Sequence, residues 1–352
     1  MNVDLHCHRA EAKNTLVEFL EECLQKHIRT ISITDHRTLK TYMEEFPMLT
    51  EEQQERYKDI RIIVGIEMTG VFQFINIAGQ KSKIPMDVLG YNMDLRKVVE
   101  LNEKVKKNYV DNSSREYQEK QLQKLIAVAK SLGFQADYED MKITEEEPFA
   151  GRIMGYKLAD PKYIDANIQK GLIQELKITP GAFFNRYCKN AASPFYLDMS
   201  DIFPDVKTVF DIIHSCGGKV ALPHTAGYFP KAGSENEIQQ AWEDSKKFVK
   251  DVLEKYPNEI QGIEVIHPCF LLNPDIETFL IETATEHSLF TTGGTDWHQP
   301  GQRLGEDIHD NPITEQRVPN IDEWARFYSV KEIVQVAQEV KKEAEKKGGE
   351  RE

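Results

Sequence analysis

The sequence predicts an α/β fold in which about seven core strands build a parallel sheet or barrel and a helical subdomain interrupts them. Three observations carry this. Strand and helix patterns alternate through the first hundred residues and again from about Val206 onward, the rhythm of parallel strands joined by helical crossovers. Between about Asp94 and Pro204 strand signals nearly vanish and helical patterns dominate. The core strands also hand over polar residues at their C-terminal ends, the end at which β/α barrels carry chemistry, whereas the opposite end serves stability.

Val3–His6 reads as the first strand, Thr15–His27 as an amphipathic helix and Thr30–Thr34 as the second strand. Ile60–Ile66 follows as the third, then a hairpin-like Val71–Ala78 and a short strand at Met86–Tyr91. Inside the insertion a long charged helix runs from Ser113 to Ser131 and stops at Gly133. Gly151-Arg152 leads a helix-like segment and Pro180-Gly181 opens another. Phe183, Phe184 and Tyr187 cluster nearby and read as a small local core in preference to a base-stacking platform.

The β/α rhythm returns with a helix at Val206–Ser215, a strand at Lys219–Leu222 and a long polar helix from about Glu237 to Tyr256. Strands at Gly262–Ile266 and Leu289–Thr292 flank a helix from Pro274 to His287. His27, His214 and His287 fall at helix C-termini, where the helix dipole favours a cation, and are read as structural. Lys331–Lys347 is a charged helix that frays into the tail. The expected domains are 1–93 and 205–330 for the two parts of the sheet or barrel, 94–204 for the insertion and 331–352 for the C-terminal helix and tail.

Composition narrows the function. The chain of 352 residues, 40% hydrophobic, is long enough for a substantial core. No apolar run approaches bilayer length, so no membrane partner is expected. A removable leader is not expected either, because no basic-then-apolar segment opens the chain. The five cysteines are odd in number, scattered and free of CxxC spacing, which argues against a disulfide framework or a thiolate zinc site and for a reducing cytoplasm. A formal charge of −14 opposes stable binding of duplex nucleic acid. A metal cluster can reverse the field locally, so a small phosphorylated substrate or an oligonucleotide end stays compatible. The oligomeric state is not legible.

The chemistry begins at Asp4-Leu5-His6-Cys7-His8. Side chains alternate along a strand, so His6 and His8 share a face and can grip one ion. Two same-face histidines are weak evidence alone. Four later stretches end in the same chemistry: Thr34-Asp35-His36, Gly65-Ile66-Glu67, Leu222-Pro223-His224 and Gly294-Thr295-Asp296-Trp297-His298.

With these endings the chain resembles the PHP (polymerase and histidinol phosphatase) superfamily of metal-dependent phosphoesterases. The HxH on the first strand, Ile33-Thr34-Asp35-His36, the glutamate ending Val64-Gly65-Ile66-Glu67, the histidine ending Gly217–His224 and the final Gly294-Thr295-Asp296-Trp297-His298 match its motifs. Gly262-Ile263-Glu264-Val265-Ile266-His267 is similar to the strand before the last of them. The resemblance covers 1–91 and 215–305. It implies a distorted (β/α)7 barrel of PHP type, with the inserted helical subdomain as a cap over the site or, alternatively, an oligomer contact.

The resemblance also implies up to three divalent ions. His6, His8, Glu67 and Asp296 would hold the first; Glu67 would bridge to a second shared with His224, where Asp87 stands in place of a histidine common in relatives; His36 and His298 would hold the third. Mixed imidazole and carboxylate ligands suit Zn, Mn or Fe. Asp35 would orient an imidazole. The implied reaction is hydrolysis of a small phosphate monoester or a nucleotide or oligonucleotide end by a metal-bound hydroxide. Glu67 and Asp296 would be central to it and His267 a proton donor. Arg9 and Arg37, and further off Arg152 and Arg303, would hold phosphate. The alternative is a degenerate relative that binds metal and a phosphorylated ligand as a sensor or scaffold. An amidohydrolase shares the barrel and the HxH, but the T-D-H and D-x-H endings match it less well. One departure bears on the ion count: Lys13 aligns where relatives carry a third-ion ligand. Either its ammonium replaces that ion and two remain, or Glu11 substitutes as ligand and three are held.

Overall fold

A computed structural model of the chain describes residues 1–111, 114–168, 183, 187–188, 193–198, 202–228, 235–268, 275–307 and 309–349. Two compact units divide it: Met1–Asn108 with Pro204–Glu352, and Tyr109–Phe203.

The first unit carries two sheets among the described residues. One has the order β1 (Asn2–Cys7), β2 (Ile28–Ile33), β3 (Arg61–Ile63), β9 (Phe327–Tyr328). Its first three strands are parallel and β9 is antiparallel. The helix Leu16–Gln25 between β1 and β2 starts at a capping box, in which Thr15 accepts from the Glu18 N–H and Glu18 from the Thr15 N–H. Its Leu16, Phe19, Leu20 and Cys23 fall on one face at helical spacing and are buried.

The second sheet runs β4 (Gly65–Ile75), β5 (Lys81–Tyr91), β6 (Lys219–Leu222), β7 (Gly262–Ile266), β8 (Phe290–Gly293). β6, β7 and β8 are parallel; β5 is antiparallel to both of its neighbours. Helices Val206–Ser215 and Asp275–Glu286 precede β6 and β8. The Leu5, Ile63, Leu89, Tyr91 and Ala221 side chains form one core cluster with Ile321 and Trp324.

The expected α/β class stands, while the described strands of the expected distorted (β/α)7 barrel form two sheets and no closed one, for two reasons. The Ile60–Ile66 segment breaks at Val64 into β3 and β4, which belong to different sheets. Gly65 makes that passage feasible, since a Cβ there would stand 2.2 Å from Ser32 Oγ. β4 and β5, 11 residues each, then form a hairpin paired from Gly65↔Tyr91 to Ile75↔Lys81, a geometry a short turn can close without a helical crossover. Isolated bridges, Cys7↔Trp297 and His36↔Glu67, link the two sides of the structure at ligand-bearing strand ends.

The second unit contains the helices Arg115–Ser131, Ala150–Leu158 and Ile164–Ile168. The first is capped by Ser114 and followed by Gly133 at φ +74°. Leu122, Leu125 and Ile126 pack with Ile153, Met154, Phe183 and Phe195, and Tyr187 joins the edge, so these aromatics do form a local core. Phe184, Pro180 and Gly181 lie outside the described residues. His214, in the last turn of Val206–Ser215, meets Glu259 at 3.2 Å. Cys7, Cys23, Cys188 and Cys216 are free and buried. No described helix is long and apolar enough to cross a membrane.

Candidate metal centre

Glu67 sits two residues into β4, essentially buried, and its two oxygens divide four histidines between them. Oε1 lies 3.4 Å from His6 Nε2 and 3.2 Å from His224 Nε2; Oε2 lies 3.2 Å from His8 Nε2 and 3.1 Å from His36 Nδ1. These histidines come from the ends of β1, β2 and β6. Strand alternation brings His6 and His8 onto one face, and Asp296 Oδ1 meets both at 3.5 and 3.0 Å.

Around this centre, Asp87 Oδ2 stands 3.8 Å from His224 Nε2 and Asp87 accepts from the Thr69 hydroxyl. His267, buried after β7, has Nε2 3.8 Å from Asp296 Oδ2. His298 Nδ1 lies 3.6 Å from Asp296 Oδ1. Glu11 reaches the outer side with one oxygen 3.4 Å from His36 Nε2 and the other 3.8 Å from His298 Nε2. Lys13 is exposed, so of the two sequence readings the geometry brings Glu11 to the histidines.

The backbone is shaped for this convergence. Arg37, His224 and Asp296 all have positive φ, at +58°, +25° and +54°, a conformation that costs a side-chain-bearing residue of order 1–3 kcal/mol and concentrates at functional sites. Asp4, fully buried, fastens β1 to the last motif: Oδ1 accepts the His6 and Thr295 N–H groups, and Oδ2 accepts the Thr295 hydroxyl and the Gly305 N–H. Gly294 lets that loop close on β1, since a Cβ there would stand 2.3 Å from His6 Cβ.

Asp35 does not orient an imidazole as expected. Its oxygens accept the Ala10 N–H at 2.8 Å and the Thr41 hydroxyl at 2.5 Å, so it holds the turn that carries Glu11. The imidazole partner is Glu264, which sequence reasoning passed over. Its Oε1 accepts from His6 Nδ1 at 3.1 Å and its Oε2 from the His224 N–H at 2.8 Å. A carboxylate in the otherwise apolar strand Gly262–Ile266 was the signal that could have found it.

The electrostatics are those of a tightly coupled cluster. Burial opposes charge on His8, but Asp296 and Glu67 outweigh it and hold the ring up to about 9. His6 is likewise raised against its burial, chiefly by Glu264 and Glu67. Burial also opposes the charge of Glu67, yet His6, His224 and His8 keep its carboxyl well below the usual range. Asp87 is pushed up to about 6 by burial and by Glu67. Burial pulls His36 down.

The residues fit a divalent cluster. His6 Nε2 and both ring nitrogens of His8 are buried without a hydrogen-bond partner, although carboxylate oxygens lie within ion-pair distance of both Nε2 atoms. Nitrogen lone pairs and carboxylates converging without directed hydrogen bonds are a ligand set for a cation. Four groupings bring their ligand atoms within 4.8 Å of one another: His6, His8 and Asp296; His6, Glu67 and His224; His8, Glu11, His36 and His298; and His6, Glu264 and His267.

The arginines divide. The Arg37 N–H donates to the Glu67 carbonyl at 2.8 Å, which fixes it beside the centre. Arg9 is buried and its guanidinium meets Glu45 at 2.8 Å. Arg303 pairs with Asp310, and Arg152, in the second unit, pairs with Glu147.

No protein family's sequence profile matches the chain, and no curated protein matches its sequence. Solved structures do. An amidohydrolase from Chromobacterium violaceum, solved with sulfate and no metal, superposes with a TM-score of 0.56 at 16% identity, over 94% of this chain and 98% of that one. A candidate metal-dependent phosphoesterase from Bifidobacterium adolescentis gives 0.50 at 18% identity, over 90% and 93%. A two-domain protein of Bacteroides vulgatus containing a predicted PHP-like metal-dependent phosphoesterase gives 0.35 at 13%, over 96% and 62%, too loose to bear on the fold. In fold this chain is similar to the first two.

Proposed function

We propose that the protein is a metal-dependent phosphoesterase that hydrolyses a small phosphate monoester or a nucleotide or oligonucleotide end. One observation carries the reading: the two oxygens of a single buried carboxylate, Glu67, are shared among four histidines from three strand ends. The ligand set suits two or three ions of Zn, Mn or Fe. His6, His8, Glu67 and Asp296 would hold one, and Glu67 with His224 and Asp87 a second. His36, His298 and Glu11 would hold a third. Such ions acidify a water and neutralise charge on a phosphoryl group.

The remaining work falls to the chain. Glu67 and Asp296 keep the ligand nitrogens of β1 in register. His267, buried 3.8 Å from Asp296, is the proton donor to the leaving oxygen. Arg37, whose backbone is fastened to Glu67, supplies a guanidinium to phosphate oxygens. Arg9 balances Glu45 and steadies the turn after β1, with Nη1 donating to the Ala12 carbonyl at 3.4 Å. The insertion selects substrate size. Buried free thiols suit a reducing compartment.

The test is a screen of phosphorylated metabolites and short oligonucleotides on protein loaded separately with Zn, Mn and Fe, read by phosphate release. Amide substrates form a second arm, because an amidohydrolase is a fold neighbour. Turnover of phosphate esters alone supports the proposal. Binding of ions and phosphate with no turnover would move the reading to a sensor or scaffold. Replacing the insertion with a short linker tests its role: changed ester preference supports selection, whereas changed mass in solution points to an oligomer contact.

A further inference from the structure

Glu264 is a fully buried carboxylate of the centre that stands behind the imidazole of a ligand histidine instead of among the nitrogens facing Glu67. All five residues of β7 are buried. Alternation turns Ile263 and Val265 to one side of the sheet and Glu264 to the other, toward β1 and the end of β6. A carboxylate at such depth costs several kcal/mol unless its lone pairs are met. Here both oxygens are met, each by a different element of the site. His6 Nδ1–H donates to Oε1 at 3.1 Å, and the His224 N–H donates to Oε2 at 2.8 Å.

Each bond fixes something different. The first sets a tautomer: with its proton committed at Nδ1, His6 keeps a lone pair on Nε2, the buried nitrogen that faces Glu67 and Asp296 without a hydrogen bond. The second holds a backbone. His224 lies at φ +25°, a conformation a histidine does not keep unaided, and its anchored N–H presents Nε2 to the same Glu67 oxygen that His6 faces.

We propose that Glu264 is a positioning residue that aligns His6 and His224 together on Glu67 Oε1, coupling the first and second ion sites through one carboxylate. The inference rests on reading the cluster as a metal centre. A competing assignment makes Glu264 a direct ligand with His6 Nδ1 and His267, whose ligand atoms also lie within 4.8 Å.

The experiment has three readouts on the full chain. Elemental analysis of zinc-saturated wild type and Glu264→Gln counts ions, chelator competition measures affinity, and nitrogen NMR of histidine-labelled, zinc-loaded wild type reports which nitrogen of His6 carries the proton. A positioning role predicts an unchanged ion count in Glu264→Gln, affinity lower by about ten- to a hundredfold, and a proton on His6 Nδ1 of the wild type. Loss of one ion in the variant, zinc on Nδ1 of wild-type His6, or unchanged affinity would each overturn it. The wild-type spectrum decides even if the variant fails to fold. Wild-type protein that held no divalent ion would overturn the metal reading as well, whereas wild-type binding with an unaffected variant overturns only this inference.

Discussion

The two ends of the ligand cluster are built differently. At the inner end His6 and His8 are fully buried and the Glu67 side chain is 2% exposed. At the outer end the side chains of Glu11, His36 and His298 are 47%, 36% and 32% exposed. Of the inner ligands His6 and Glu67 stand within strands, His6 clamped by Asp4 and Glu264, and Asp296, 33% exposed, comes from a loop. None of the outer ones lies in a strand: Glu11 is in the bend after β1, His36 just beyond β2, and His298 in a loop tied by its N–H to Gln302. Rigid strands and dry surroundings preorganise ligands, while turns open to water let them move. The inner end is therefore expected to hold ions tightly and the outer end to exchange one.

The largest effect should follow from removing the residue common to both ends. Glu67→Gln replaces a charged group facing four histidines by an amide whose nitrogen repels both a cation and a protonated ring. Ions should be lost from both ends together and turnover should fall by about 10²–10³-fold or more. Elemental analysis beside the assay checks this, with circular dichroism to show that the fold persists. Retained metal and activity would mean that Glu67 is not the bridge.

Glu11→Ala should touch only the outer end. Metal analysis should show one ion fewer, with activity reduced by about ten- to a hundredfold, while Lys13→Ala leaves both unchanged. Two ions in the saturated wild type, with none lost in Glu11→Ala, would restore the reading in which the Lys13 ammonium occupies the third position.

This contrast also marks what was legible in the sequence. Helix Val206–Ser215 and strands Lys219–Leu222 and Gly262–Ile266 fall where the pattern predicts them, because each has a clear apolar period and a polar or glycine boundary. The inner ligands were legible for the same reason: strand alternation dictates that His6 and His8 share a face. Strand direction was not. An apolar run reads alike in parallel and antiparallel sheets, so although Val71–Ala78 reads as hairpin-like, the antiparallel pairing from Gly65 onward and the break at Val64 are not legible. The outer end resisted because turns have no period. Nothing local says that a bond between Asp35 and the Ala10 N–H brings Glu11, and not Lys13, to His36.

Proton release offers a way to separate the ends without mutation. His8 is held up to about 9, so at pH 7.5 it is largely protonated in metal-free protein, and His6 is shifted in the same direction. A ligand nitrogen must shed its proton to bind. Inner-end affinity should therefore fall as pH drops below about 9, by up to about tenfold per unit for each proton displaced. His36 is shifted the other way by burial and is already neutral, so the outer ion should displace few protons. Calorimetry in two buffers of different ionisation enthalpy, with ions added stepwise, would show large release for the tight class and little for the weak class. The reverse order would break the proposed division.

The smallest effect concerns the support of the outer end. Asp35 touches no imidazole; it accepts the Ala10 N–H with one oxygen and the Thr41 hydroxyl with the other, so its influence on metal must pass through the turn that carries Glu11. Asp35→Asn keeps one carbonyl for the Ala10 N–H and offers an amide to a hydroxyl able to accept it, so the turn should loosen without unfolding. The weak ion class should then lose affinity by up to about tenfold, the lower end of what an outer partner contributes, with the tight class unmoved. Thr41→Val, which removes the hydroxyl and leaves the carboxylate, should shift the same class in the same direction by less. Chelator titration resolves the two classes in one experiment. A change in the tight class would mean that Asp35 acts on His8 directly through its charge, and the boundary between the two ends would have to be redrawn at β1.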